Sequence, residues 1–201
     1  MQIRDLMISN PITITANAPI SRAIELMKVN HIRHLPVVSK GKMLEGLVTL
    51  ADLKQGLIPS MLGDVSLKDL MIKDPITVGP EDDIETAAQI IYKHKIGGLP
   101  VTKIGRLVGI ITETDLLRAF IDMMGILSST SRMDVAGGNK PEFLKKALQI
   151  INDAGGDVIN VSMTLQKSRK RVYHFRLAAC KTGLIKKALA KGGFDVLAAI
   201  D

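Results

Sequence analysis

The chain has 201 residues, 46% of them apolar and 23% charged, and a mean hydropathy of +0.21, which excludes a disordered chain and gives enough apolar material for real cores. No apolar run approaches the roughly 18 residues of a membrane-spanning helix, and the opening MQIRDLMISNP lacks the apolar centre of a signal peptide, so the expected location is the cytoplasm. The single Cys180 excludes an internal disulfide and a cysteine-built metal centre, and is expected to be a small buried apolar residue; the net charge of +7 lies wholly in residues 131–201, with 13 Lys/Arg against six Asp/Glu there.

In chain order, two stretches read alike. Residues 3–37 (IRDLMISNPITITANAPISRAIELMKVNHIRHLPV) and 67–101 (LKDLMIKDPITVGPEDDIETAAQIIYKHKIGGLPV) align at an offset of 64. Identities include Asp5/Asp69, Leu6/Leu70, Met7/Met71, Pro11/Pro75, Ile12/Ile76, Thr13/Thr77, Ile20/Ile84, Ala23/Ala87, Ile32/Ile96 and the Leu-Pro-Val triplets at 35–37 and 99–101. After a one-residue deletion placed near Glu45 the match resumes, GLVTLAD at 46–52 against GIITETD at 109–115. Two copies make a duplicated module rather than a solenoid, expected to pair about a pseudo-two-fold axis with clefts between its halves.

Each copy opens on a strand-like segment after proline (ITIT, ITVG). A helix follows, with Ile20, Ala23, Ile24 and Met27 at i, i+3, i+4 and i+7, and Ile84, Ala87, Ala88 and Ile91 repeating the stripe. Then come the LPVV or LPVT strand, a turn at Gly41 or Gly105, the GLVT or GIIT strand, and a second helix starting near Asp52 or Asp115. Each unit reads β-α-β-β-α with its strands in one small sheet. Pro59 and Gly63 mark the connection at 56–66.

Residues 126–131 read as a linker, with a tight turn at Gly137-Gly138. A strand near Met133–Ala136 precedes a helix capped at Asn139-Lys140-Pro141-Glu142, striped by Phe143, Ala147, Ile150 and Ile151 and ended by Gly155-Gly156. Ile159, Val161, Met163 and Leu165 alternate with polar residues, as do Tyr173, Phe175 and Leu177 after the KSRKR turn at 167–171. A helix at about 182–191 and a VLAAI strand complete β-α-β-β-α-β, a ferredoxin-like sandwich. The fold class is thus α/β in the α+β sense. Its expected divisions are 1–61, 62–125, a linker at 126–131, and 132–201.

Catalytic templates fit badly: the sequence has no GxSxG, HExxH, Walker A or GxGxxG. His31 and His34 lack a carboxylate at ligand spacing, which argues against a zinc site. Two corners remain, Thr49-Leu-Ala-Asp52 and Thr112-Glu-Thr-Asp115. A carboxylate between strand and helix can accept both hydroxyls of a ribose, and the helix N-terminus favours an anion. Equally, Thr-x-x-Asp is a capping box that does no more than tie off a helix. Spacing alone leaves both readings open.

The paired DLM, the Pro-Ile-Thr entries, the LPV strands and the GLVTLAD/GIITETD corners, found twice in order, resemble CBS domains over residues 1 to about 124. Two such repeats form a Bateman module. The resemblance implies a non-enzymatic sensor that needs no cofactor and takes an adenosyl ligand (AMP, ADP, ATP or S-adenosylmethionine) as a regulatory ligand in the clefts. It implies ribose contacts from Thr49, Asp52, Thr112 and Asp115, and a base pocket from Ile12, Thr13, Ile76 and Thr77. Leu47, Ile110 and Ile96 join the clefts. The positions before each LPV strand, Arg33-His34 and Gly97-Gly98, face phosphate or base. A guanidinium clamps phosphate and glycine does not, so the site of Thr49 and Asp52 is expected to be the better phosphate site.

Residues 132–201 resemble an ACT domain, in which an Asn/Asp-x-Pro-Gly-like stretch often holds an amino acid. Here Glu142 follows Pro141, which argues against that ligand. The polar strand face of Asn160, Ser162, Thr164, His174 and Arg176 is expected to meet solvent or a second copy. The order CBS–CBS–ACT resembles small bacterial regulators of the acetoin-utilisation type, which implies a role in carbon-metabolism regulation but does not supply a partner. The CBS-pair and ACT resemblances each imply self-association, so a homodimer is expected, and a regulated enzyme is the expected further partner. The alternative is a nucleic-acid-binding regulator using the basic C-terminal part, but with 3% aromatic residues it lacks stacking platforms.

Overall fold

The structure is a computed structural model; it describes residues 1–56, 66–126, 130–137, 141–166 and 170–201, with backbone only for Gln55, Gly56 and Pro141. Residues 57–65 of the connection expected at 56–66, residues 127–129 of the expected linker, Gly138 of the expected turn, the Asn139-Lys140 cap and the KSR of KSRKR lie outside the described residues. The chain forms two compact units, Met1–Leu117 and Arg118–Asp201.

The first unit holds the first repeat and the second as far as Leu117, within its last helix. In repeat one, α1 (Ile20–Val29) is followed by β2 (His34–Val38), β3 (Leu44–Thr49) and α2 (Leu50–Gly56); in repeat two, α4 (Ile84–His94) is followed by β5 (Gly98–Lys103), β6 (Arg106–Thr112) and α5 (Glu113–Met123). The apolar stripes face inward as the 3.6-residue spacing requires: Ala23 and Met27 of α1 and Ile84, Ala87 and Ile91 of α4 are buried. Each repeat has its own core. One gathers Leu35, Val37, Val48 and Leu53, the other Leu99, Val101, Ile111 and Leu116.

The strand that precedes each proline does not lie in its own repeat's sheet. β1 (Ile8–Ser9) pairs with β6, Ile8 opposite Ile110, while β4 (Ile72–Lys73), which follows the short α3 (Leu67–Leu70), pairs with β3, Ile72 opposite Leu47. The two sheets are β1-β6-β5 and β2-β3-β4. The cores are exchanged in the same way: Ile3 is buried in the second repeat's core and Leu67 in the first's. The ITIT and ITVG segments are not ladder strands as expected. Each contributes one parallel bridge, Ile14 to Val37 and Val78 to Val101.

The one-residue difference between the repeats falls in the hairpin loops rather than near Glu45. In repeat two, Ile104 and Gly105 both have positive φ (52° and 72°) and directly join β5 to β6, whereas repeat one has a longer loop through Gly41 and Lys42. The two hairpins meet each other at Met43 and Arg106, where the Leu44 N–H donates to the Gly105 carbonyl (3.1 Å) and the Leu107 N–H to the Lys42 carbonyl (2.8 Å). Met43 and Arg106 are equivalent positions of the two copies, so this bridge marks the pseudo-two-fold relation between them.

The second unit contains β7 (Thr130–Gly137), α6 (Pro141–Asp153), β8 (Val158–Leu165), β9 (Arg171–Ala178), α7 (Gly183–Lys191) and β10 (Asp195–Ile200). Its antiparallel sheet has the order β10-β7-β9-β8, and its core gathers Met133, Val135, Phe175, Leu177, Ile151 and Leu189. Thr130 and Ser131, expected in a linker, begin β7, and Gly137 ends it. Cys180 is half-buried rather than buried. Its N–H and carbonyl both bond the buried Ser131 hydroxyl, at 2.8 and 2.7 Å.

Candidate functional site

A cavity of about 610 Å³ opens between the repeats, within the usual range for small-molecule sites. Its walls come from both copies. Repeat one supplies Arg33 ahead of β2, His34 at its start, Leu47 and Thr49 from β3, and Lys54 from α2; from the second copy come Ile72 of β4, Asp74, Ile76, Lys95, Ile96, Gly97 and Glu113. The strand exchange is what brings Ile72 and Ile76 here. Pairing of β4 with β3 carries the post-proline segment of the second copy onto the first copy's Leu47.

Eight residues expected from the sequence therefore converge on this cavity: Arg33, His34, Leu47, Thr49, Ile76, Ile96, Gly97 and Gly98. Asp52 is not itself among the residues lining the cavity, but it is bonded to Thr49, which is. The Thr49 N–H and hydroxyl donate to the same Asp52 carboxylate oxygen at 2.8 and 2.7 Å, and the Asp52 N–H reaches back to the Thr49 hydroxyl at 3.3 Å. Thr77 follows Ile76 and is exposed. Ile12, Thr13, Ile110, Thr112 and Asp115 are not among the residues lining this cavity. Thr112 and Asp115 instead repeat the same capping box at the start of α5, with hydroxyl-to-carboxylate and N–H-to-carboxylate distances of 2.6 and 2.9 Å. Both Thr/Asp corners thus cap their helices, and the corner at Thr49 also faces a cavity.

His34 and Gly97-Gly98 are one contact, not two separate phosphate positions. A Cβ built on Gly97 would sit 2.9 Å from His34 Cε1 and Nε2, and one on Gly98 would sit 3.5 Å from His34 Cγ and 3.3 Å from the Ile111 carbonyl. The imidazole fits because the second copy has no side chain there. Burial pushes the His34 imidazole below its ordinary value and Arg33 adds to this, while Glu113 and Asp52 pull weakly the other way. His34 is accordingly neutral at pH 7.

The charge of the cleft comes largely from residues the sequence reading did not select. Arg33, Lys54 and Lys95 oppose Asp74 and Glu113, and Arg33 pairs with Glu113 across the repeats at 3.6 Å. Laying the copies over each other puts Leu117 where Lys54 stands, His31 where Lys95 stands, Asn10 where Asp74 stands and Leu50 where Glu113 stands. The two copies therefore bring unequal chemistry to their clefts. The signal was present in the positions where the repeats differ. Asp74 and Lys95 also hold positive φ (48° and 53°), a conformation uncommon outside glycine.

The CBS-domain family profile matches residues 3–58 and 67–122, more than half of the chain. The chain belongs to the CBS-domain family. A homoserine O-acetyltransferase of Methanocorpusculum labreanum is 41% identical over 102 residues, covering 50% of this chain and 20% of that protein. The chain spans about a fifth to two fifths of the length of the curated relatives it matches. Among solved structures, the CBS domain pair of protein MJ0100, in complex with 5′-methylthioadenosine and S-adenosyl-L-methionine, is 28% identical over 60% of this chain and 95% of that one (TM-score 0.56). A chain assigned as the acetoin utilization protein AcuB of Vibrio cholerae is 33% identical over 63% and 94% (TM-score 0.57). CBSX2 of Arabidopsis thaliana, solved with AMP, is 28% identical over 60% and 96% (TM-score 0.54). No described helix is long and apolar enough to cross a membrane.

Proposed function

We propose that this chain is a non-catalytic regulatory sensor whose CBS pair binds a phosphorylated adenosyl ligand, of the AMP, ADP or ATP kind, in the cleft of Thr49 and Asp52. The observation that carries the reading is the composition of that cleft. Leu47, Ile72, Ile76 and Ile96 offer an apolar slot of the kind a purine fills, and Arg33, Lys54 and Lys95 offer three cations for phosphate. The Asp52 carboxylate receives both Thr49 bonds on one oxygen, which leaves its other oxygen for a ribose hydroxyl. The ligands printed for two structural neighbours, AMP in one and S-adenosyl-L-methionine with 5′-methylthioadenosine in the other, support an adenosyl class. Arg33, Lys54 and Lys95 outnumber Asp74 and Glu113 by one, and a positive balance favours a phosphate over a sulfonium on electrostatic grounds.

The second unit supports an ACT-like reading: two helices and an antiparallel sheet whose strands run fourth, first, third, second follow the ferredoxin-like order. In this account it transmits the signal or joins two copies into a homodimer, and a regulated enzyme of carbon or energy metabolism in the cytoplasm receives it. A thermal-shift panel of AMP, ADP, ATP and S-adenosylmethionine tests the ligand class, because native-state binding raises apparent stability by RT ln(1 + [L]/Kd). The expected result is a shift with the phosphorylated ligands exceeding that with S-adenosylmethionine. No shift with any of them contradicts the proposal.

A further inference from the structure

A second cavity, of about 500 Å³, lies in the first unit at the other end of β2 from the cleft of Thr49: His34 lines the one and Val38 the other. Its polar walls are Thr15, Asn17, Ser39, Lys40, Glu45 and Lys68. The other copy shows why it is open. There the Ile3 and Arg4 N–H groups donate to the Asp82 and Pro80 carbonyls at 2.8 and 2.9 Å, which stitches the N-terminal segment to the 80–82 turn. The counterparts of those bonds, from Leu67 and Lys68 to Ala18 and Ala16, are absent among the described residues. The turn also differs in charge. Glu81 accepts from Lys103 Nζ at 3.0 Å, and this bond, with a smaller contribution from the charge of Arg4, holds its carboxyl below the usual carboxylate value. In the first copy Asn17 stands at the position of Glu81 and Lys68 at that of Arg4, while Lys40 enters from the longer hairpin loop.

We propose that this second cavity binds a small oxyanion, a carboxylate or phosphate, which takes the place that the Glu81 carboxylate holds in the other copy. The inference goes beyond the adenylate reading and uses none of that cleft. Lys40 and Lys68 face the single acid Glu45, a balance of +1, and none of the three makes an ion pair among the described residues. An ammonium is a compact charge with three donors and no acceptor. The hydroxyls of Thr15 and Ser39 and the amide of Asn17 can each donate as well. A donor-rich wall of positive balance selects an anion over a cation, and a cavity of this size is within the range of small-molecule sites. Glu45 is left to take a hydroxyl or ammonium carried by the same ligand. In the second copy the chain's own carboxylate neutralises Lys103; in the first, the neutralising group comes from outside.

The test is a titration of the full chain with sodium succinate and with sodium phosphate, at constant ionic strength in chloride, followed by calorimetry and by proton–nitrogen correlation NMR. The wild type is expected to bind at least one probe, with shifts clustered at residues 15–17, 38–45 and 68–71, and the tighter probe tells carboxylate from phosphate. Asn17→Glu rebuilds the carboxylate of the other copy. It is expected to lose probe binding and to melt about 1–3 °C higher without ligand, the shift that one surface ion pair converts to in a chain of this length. Lys68→Ala, at an exposed position, is expected to weaken binding about tenfold or more, which is what the loss of one charge-assisted hydrogen bond converts to. Binding of neither probe by the wild type, or an affinity unchanged in either variant, overturns the site and leaves the adenylate reading standing.

Discussion

His34 and Gly97 meet where the two copies face each other. Adding a methyl at Gly97 places it 2.9 Å from the imidazole, so Gly97→Ala is expected to destabilise the chain by about 1–3 kcal/mol through overpacking. His34→Ala in the same chain removes the obstacle and should recover much of that loss. Urea unfolding of the two single variants and the double variant measures the coupling, and additive effects would show that the contact is not what separates the copies. The imidazole also sets a pH dependence. Its folded value lies below the ordinary 6.5, so below pH 6.5 the unfolded chain takes up a proton that the native chain resists. Stability therefore falls as pH drops through 6.5 and levels off below the folded value. His34→Gln should flatten the difference between unfolding midpoints at pH 7.5 and pH 5.5. An undiminished difference would assign it to other groups.

At the scale of elements, the helices were legible because their stripes are local: Ala23, Met27, Ala87 and Ile91 bury themselves at the spacing the sequence shows. The exchange of β1 and β4 was not, because which sheet a two-residue strand joins depends on partners roughly 100 residues away in one case and 25 in the other. The hydrophobic pattern of ISNPIT is the same whichever sheet receives it. Ile3 shows the consequence. It is wholly buried in the second repeat's core, so Ile3→Ala should cost about 2–5 kcal/mol. A loss within 0.5 kcal/mol, the range of an ordinary surface change, would mean that the N-terminal segment does not hold the pair together. The hairpin of repeat two carries its own strain. Ile104 is β-branched, 93% exposed and at φ 52°, where Asn-Gly is the favoured pair. Ile104→Asn is expected to stabilise by roughly 1 kcal/mol, read as a raised urea midpoint; a lowered midpoint would show that the exposed isoleucine is stabilising through packing.

For the whole molecule, the duplication supplies a symmetric scaffold and the substitutions between the copies make it unequal. Met43 meets its equivalent Arg106, and His34 meets its equivalent Gly98, so these contacts lie where the copies face each other. The inequality at Arg33-His34 against Gly97-Gly98 was readable from one copy laid over the other. Its extension to Lys54 over Leu117 and Lys95 over His31 needed the cavity, since nothing local marks an exposed lysine as a site residue. The reading proposed for the molecule is that one cleft, the one lined by Thr49 and backed by its bond to Asp52, takes a phosphorylated adenylate. Calorimetric titration of AMP into Asp52→Ala and Asp115→Ala tests it most directly, because both variants lose the same capping carboxylate and about the same 1 kcal/mol of helix stability. Affinity is expected to weaken by roughly tenfold or more in Asp52→Ala, a loss of at least about 1.4 kcal/mol, and to be unchanged in Asp115→Ala. Affinity abolished in Asp115→Ala and retained in Asp52→Ala would contradict it.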